Sequence, residues 1–137
     1  MPVSAVLCDD NIMLCIKPGE HGSTFGGNPL SVAVATEALN VVVDEGLIEN
    51  AFNLGKIFRE QLNKFIKDSD LVKLVRGRGL LNAIVINDTP ESDTAWNICL
   101  KLSDNGLLAK PTHGNIIRFA PPLVMTEDQL NDCISII

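Results

Sequence analysis

The sequence has no apolar run approaching the roughly 20 residues of a membrane-spanning helix. No signal or transit segment is visible. It contains only two histidines, neither at metal-ligand spacing from its four cysteines, and no CxxC pair. Those absences argue against a zinc or disulfide framework. Cys8, Cys15, Cys99 and Cys133 each sit in an apolar segment and read as small buried hydrophobes in a reducing compartment. Basic clusters are also missing: the nearest grouping is Lys73, Arg76 and Arg78 in a chain of net charge −6. An acidic balance of that kind argues against nucleic acid as the main partner. There is no Walker A loop, GxGxxG, GxSxG, Ser-His-Asp arrangement or paired-carboxylate motif.

What is there is a chain of 137 residues, 46% hydrophobic and 20% charged, the size and composition of one globular domain. "VSAVLC" (3–8) reads as a strand, so the chain opens inside an element, as a piece of something longer would. Asp9 or Asp10 can cap a short helix over "DDNIMLCI". After a glycine-rich loop, Pro29 suits a helix's first turn. The helix that follows is apolar nearly all round, which predicts burial on most sides, and Gly46 stops it. From about Leu47 to Lys67 the pattern is cleaner. Leu47, Ala51, Leu54, Phe58, Leu62 and Phe65 form one face, with Lys56, Arg59, Glu60 and Lys64 largely opposite.

The second half changes period. Two strands are predicted at about 71–75 and 80–86, with a kink or turn at "RGRG". A helix over "ESDTAWNICLKLSDNG" closes at Asn105-Gly106, with Trp96 expected in the core. "LLAK" is a short strand, "PTHGN" a turn and "IIRFA" a strand ended by Pro121-Pro122. "TEDQL" begins a terminal helix with a capping box from Thr126 to Gln129. This is an α+β layer, a small, largely antiparallel sheet covered by helices on one face.

Two places could carry chemistry. In "KPGEHGSTFGGNP" (17–29), the hydroxyls of Ser23 and Thr24, the glycine N–H groups and a following helix start could hold an anion, phosphate being the natural guest. The other reading is a tight surface turn using glycine for positive φ. Arg118 alternates with Ile117 and Phe119, so it either points to water or binds a carboxylate bidentately. His113 has a turn context, Lys110 is a surface or pocket cation, and Arg76 and Arg78 frame a bend at Gly77.

"PVSAVLCDD", "KPGEHGSTFGGNPL", "RGRGLLNAIVI", "NGLLAKPTHGNIIRFAPPLV" and "TEDQL" together resemble the class III pyridoxal-phosphate-dependent aminotransferases of fold type I, an α/β family, and within it the ornithine aminotransferases. "HGSTFGGNP" is a mark of the subgroup, shared by relatives acting on acetylornithine or 4-aminobutyrate. "LLAKPTHG" with "IIRFAPPL" points to ornithine.

The resemblance implies pyridoxal 5'-phosphate as cofactor, ornithine and 2-oxoglutarate as substrates, a homo-oligomer, and the mitochondrial matrix. By the same resemblance, Thr24, with Ser23 beside it, binds the cofactor phosphate of a neighbouring subunit, and Arg118 holds the substrate's α-carboxylate. It places residues 1–67 at the end of the large domain with connecting helices, and 68–137 in the C-terminal α+β small domain. The family's Schiff-base lysine would precede "PVSAVL", and none of the seven lysines matches it. The resemblance is thus to the C-terminal third of the enzyme, without catalytic lysine. Alternatives are a truncated non-catalytic paralogue acting as a dimerisation module, or a piece of an acetylornithine or 4-aminobutyrate aminotransferase. In all of them, the apolar surface of residues 30–43 is left exposed in an isolated chain.

Overall fold

A computed structural model describes residues 1–137. The chain forms two compact units, Met1–Glu45 and Gly46–Ile137. In the first, residues 1–9 have no regular structure, so the strand expected at 3–8 is absent. A strand needs a neighbour for its N–H and C=O groups, and the one sheet of the chain contains no partner for it. Helix α1 (Asp10–Met13) follows Asp9 as N-cap. Helix α2 (Pro29–Asp44) begins with the proline at its first position, behind Asn28, whose Oδ1 accepts from the Ser31 N–H at 2.9 Å. Proline costs nothing there, because that N–H would have no helical partner. The apolar side chains of α2 are largely exposed, Leu39 at 68%.

The second unit starts at Gly46, whose φ of 63° ends α2 and turns the chain into α3 (Leu47–Phe65). Leu47, Leu54, Phe58 and Leu62 are buried on the predicted face. Phe65 is not, at 59% exposure. The helix tightens there into a 3₁₀ turn, Ile66–Asp68, which shifts the phase and brings Ile66 against the core instead.

Strands β1 (Val72–Arg78) and β2 (Leu81–Ile86) form a hairpin. The turn expected at "RGRG" falls at its last residue: Arg76, Gly77 and Arg78 stay in register with Ala83, Asn82 and Leu81. The chain reverses at Gly79 and Leu80, and the irregularity lies between Val72 and Leu74. Helix α4 (Thr94–Asp104) closes at Asn105-Gly106 as predicted. The Leu107 N–H returns to the Leu102 carbonyl at 2.9 Å and the Gly106 N–H to that of Ser103 at 3.0 Å. That closure holds Leu107 at the helix end, so β3 is Lys110–Thr112 and not 107–110. Strand β4 (Ile116–Phe119) follows, then α5 (Glu127–Ile136) with the predicted capping box complete in both directions.

The sheet order is β1-β2-β4-β3, antiparallel throughout. Val75, Ile84, Ile86, Ile117 and Phe119 face α3, α4 and α5 and make one core, with Phe58 and Phe119 tilted at 5.6 Å. Trp96, expected inside, is 54% exposed on α4, because the inward face of that helix is taken by Ala95, Cys99 and Leu102.

One contact sets how closely α3 lies on the hairpin. A Cβ added at Gly55 would stand 1.9 Å from the Gly79 carbonyl oxygen. Arg59, expected on the outer face, instead donates from Nη1 to that same carbonyl at 3.1 Å and to Asn82 Oδ1 at 2.8 Å. Asn82 is buried and donates back to the Gly79 carbonyl at 2.9 Å. The compact units of this chain divide at Glu45 and Gly46, with α3 packed on the sheet. Gly55→Ala should cost about 3 kcal/mol through overpacking against backbone that cannot retreat. The check is a lower urea midpoint at unchanged slope; an unshifted midpoint would show that the helix can lift off the turn.

Candidate functional site

The loop of the first unit is built by its own polar groups. Glu20 accepts from the Lys17 N–H at 2.7 Å, which turns its carboxylate back onto the backbone. The Ser23 hydroxyl accepts from the Gly26 N–H at 2.9 Å. Glycine is required at 26, because a Cβ there would lie 2.8 Å from the Ser23 side chain. Asn28 donates to the Phe25 carbonyl at 2.8 Å and caps α2. The helix start is thus partly closed to an outside anion: Pro29 has no N–H and Asn28 takes that of Ser31. Ser23, Gly26, Gly27 and Asn28 line a concavity of about 410 Å³ with residues 2–4. Thr24 is exposed and adjoins that wall; its hydroxyl has no partner among the bonds that hold the loop.

Arg118 lies in the second unit, on β4. Ile117 and Phe119 point into the core, so Arg118 points to the open face of the sheet, as alternation predicts. It borders two concavities, one of about 430 Å³ on the open face and an apolar one of about 320 Å³ beyond the end of β4. Register puts Arg76, Ala83, Arg118 and Lys110 opposite one another across the four strands. Arg76 and Arg78 therefore shape no bend; they project on the same face as Arg118. Reading the alternation straight through "VRGRG" would have placed them there. Strands β1 to β4 contain no acidic residue, and the ion pair in the chain within 4 Å is Lys56–Glu60, on α3.

His113 is exposed in the β3–β4 turn at φ 50°. That turn is held from behind: Asn115 donates to the Asp88 carbonyl at 2.9 Å and accepts at its own carbonyl from the Ile86 N–H at 2.8 Å. Asp88 in turn gathers the Thr94 and Ser92 hydroxyls and the Thr89 N–H, which hold its carboxyl below the usual carboxylate range. Cys99 is buried and Cys133 half-buried, and burial raises both thiols; Asp132 adds to the effect at Cys133. Cys8 and Cys15 are exposed, against the expectation of burial, because the first unit has no core around them.

A family model for class III aminotransferases matches residues 1–137. The chain belongs to the class III aminotransferases. It is thereby a segment of a family of pyridoxal-phosphate-dependent enzymes. It is 62% identical over 136 residues to the mitochondrial ornithine aminotransferase of Rattus norvegicus, covering 99% of this chain and 30% of that protein. Among solved structures, an acetylornithine aminotransferase from Elizabethkingia anophelis matches at TM-score 0.89 and 66% identity. That match covers 95% of this chain and 32% of the other. The Plasmodium falciparum ornithine delta-aminotransferase matches at TM-score 0.87 and 47% identity, covering 95% and 33%. This class III segment thus spans about a third of the length of the relatives it matches, and it shares their fold.

The Asp88 cluster predicts a pH effect with a definite sign. A carboxyl whose folded value is depressed adds stability above its unfolded value and loses it as pH falls through the folded one. The urea midpoint of the chain should therefore drop between about pH 5 and pH 2, and Asp88→Asn should remove part of that drop. An identical acid slope in the variant would show that the cluster does not contribute.

Proposed function

We propose that this chain is the phosphate- and carboxylate-recognising part of an ornithine aminotransferase. The whole enzyme would move the δ-amino group of ornithine to 2-oxoglutarate, giving glutamate semialdehyde and glutamate, in the mitochondrial matrix. The observation that carries the reading is an arginine, fixed by strand register, that stands outward on an acid-free sheet face in a chain 62% identical to an ornithine aminotransferase. Mitochondrial location is supported by the names of the relatives. None of the seven lysines matches the family's imine-forming lysine, so recognition, not bond-making, is assigned to this chain.

The loop of residues 17–28 suits a phosphate. Its carboxylate is turned away onto backbone, and Thr24 keeps an unengaged hydroxyl. Thr24 would donate to a phosphate oxygen of pyridoxal phosphate bound by a neighbouring subunit, with Ser23 holding the turn that presents it. When bound, the cofactor supplies temporary storage of the amino group and delocalisation of charge at the reacting carbon. Arg118 would orient the dicarboxylate by a two-point guanidinium–carboxylate contact.

A second reading keeps the reaction and changes the amino donor to N-acetylornithine. The 66% identity to the Elizabethkingia acetylornithine aminotransferase favours it. One chimera tests both: these residues exchanged for the matching segment of the rat enzyme. We expect transamination of ornithine in preference to N-acetylornithine and 4-aminobutyrate. The reverse preference would install the second reading, and a folded chimera inactive on all three would remove the aminotransferase role.

Within that chimera, Arg118→Lys should raise KM for 2-oxoglutarate about tenfold, since a point charge replaces a planar fork. Unchanged KM would take Arg118 out of the site. Thr24→Ala should weaken retention of pyridoxal phosphate at least about tenfold, the scale of one hydrogen bond to a charged group, read by cofactor absorbance after gel filtration. Full retention would end the phosphate role.

A further inference from the structure

The exposed end of α4 holds a reactive pair. Asparagine occurs twelve times in the chain, and only Asn105 is followed by glycine. A backbone nitrogen can attack the side-chain amide carbon of a preceding asparagine and close a five-membered imide. A side chain on the attacking residue crowds that approach; glycine has none, and its backbone reaches the most conformations. Asn105 and Gly106 are both exposed, so water has access to them. The folded closure holds the reaction back. At ψ 10° the Gly106 nitrogen is eclipsed with the backbone nitrogen of Asn105, not with its Cβ as ring closure requires. The Gly106 N–H donates to the Ser103 carbonyl at 3.0 Å, and the Asn105 side-chain amide donates to the Lys101 carbonyl at 2.8 Å. These protecting bonds belong to the last turn of an exposed helix end, a part of a fold that opens at little cost.

We propose that Asn105-Gly106 is a deamidation site, uncovered by fraying of the last turn of α4. The Gly106 nitrogen loses its proton and bonds to Asn105 Cγ. The Cγ–Nδ2 bond breaks, and ammonia leaves with that proton. Water then adds to one imide carbonyl. Opening at Cγ gives aspartate; opening at the backbone carbonyl gives isoaspartate, whose chain runs through Cβ and Cγ. No oxidant or reductant enters. Either product replaces the donor to the Lys101 carbonyl by a carboxylate. Negative charge is unfavourable there, at a helix C-terminus. Isoaspartate also adds one carbon to the main chain, which spoils the spacing that returns the Leu107 N–H to the Leu102 carbonyl. The modification thus loosens the closure that holds Leu107 ahead of β3.

The test is incubation of the full folded chain at mildly alkaline pH, followed by peptide mass spectrometry and methyl labelling with an isoaspartyl methyltransferase. Asn105 should show the mass gain of NH₂ replaced by OH ahead of every other asparagine, with isoaspartate among the products. The rate should be at least about tenfold slower than in the urea-unfolded chain. Asn105→Gln should abolish the label at this position, because a longer side chain must close a six-membered ring. Asn105→Asp, which reproduces one product, should lower the urea midpoint at unchanged slope. An intact Asn105 in the folded chain, after a time in which the unfolded chain converts fully, would overturn the site. Equal rates in folded and unfolded chains would overturn the opening step. An unshifted midpoint for Asn105→Asp would overturn the loosening of α4.

Discussion

Everything in the second unit depends on how closely α3 lies against the β1–β2 turn. The Gly55 backbone meets the Gly79 carbonyl with no room for a methyl group between them. Arg59 and the buried Asn82 both donate to that carbonyl, so the oxygen that the helix covers is not left without partners. A buried acceptor without donors would cost about 1–3 kcal/mol. With the contact made, the Leu54, Phe58 and Leu62 side of α3 meets the core side of the sheet. None of the helices α3, α4 and α5 covers the opposite face of the sheet.

That sidedness turns a structural fact into a chemical one. Strand alternation sends Ile117 and Phe119 inward and Arg118 outward, and the register aligns Arg118 with Arg76 and Lys110. The face has no carboxylate of its own. The turn between β3 and β4, which fixes that alignment, is tied back through Asn115 to residues 86–88. The first unit works differently. Its loop is held by local bonds, Ser23 to Gly26 and Asn28 to Phe25 and Ser31, while its apolar helix α2 remains exposed.

Elements whose causes are local were legible from the residues alone. The capping box of α5, the proline start of α2, the glycine stop at 46 and the Asn105-Gly106 closure each rest on neighbours a few positions away. Arg118's outward direction needed only the period of a strand. Where contacts come from elsewhere, the reading failed. "VSAVLC" has strand composition but finds no partner here, and the turn read at "RGRG" is confined to Gly79, because pairing with β2 keeps Arg76 to Arg78 in the strand. Arg59 looked like a solvent residue until the turn arrived beneath it. Cys8 and Cys15 looked buried because their neighbours are apolar, yet apolar neighbours in sequence do not supply a core.

The sequence by itself determined the helices and their ends, the α+β order, the family, and which residues carry a hydroxyl or a guanidinium. These follow from periodicity, capping and residue chemistry within short spans. Only the tertiary structure decided that Arg76 and Lys110 stand beside Arg118. It also decided that Gly55 must be glycine. Each of those depends on register or close approach between segments far apart in the chain, and no local pattern of residues encodes such a distance.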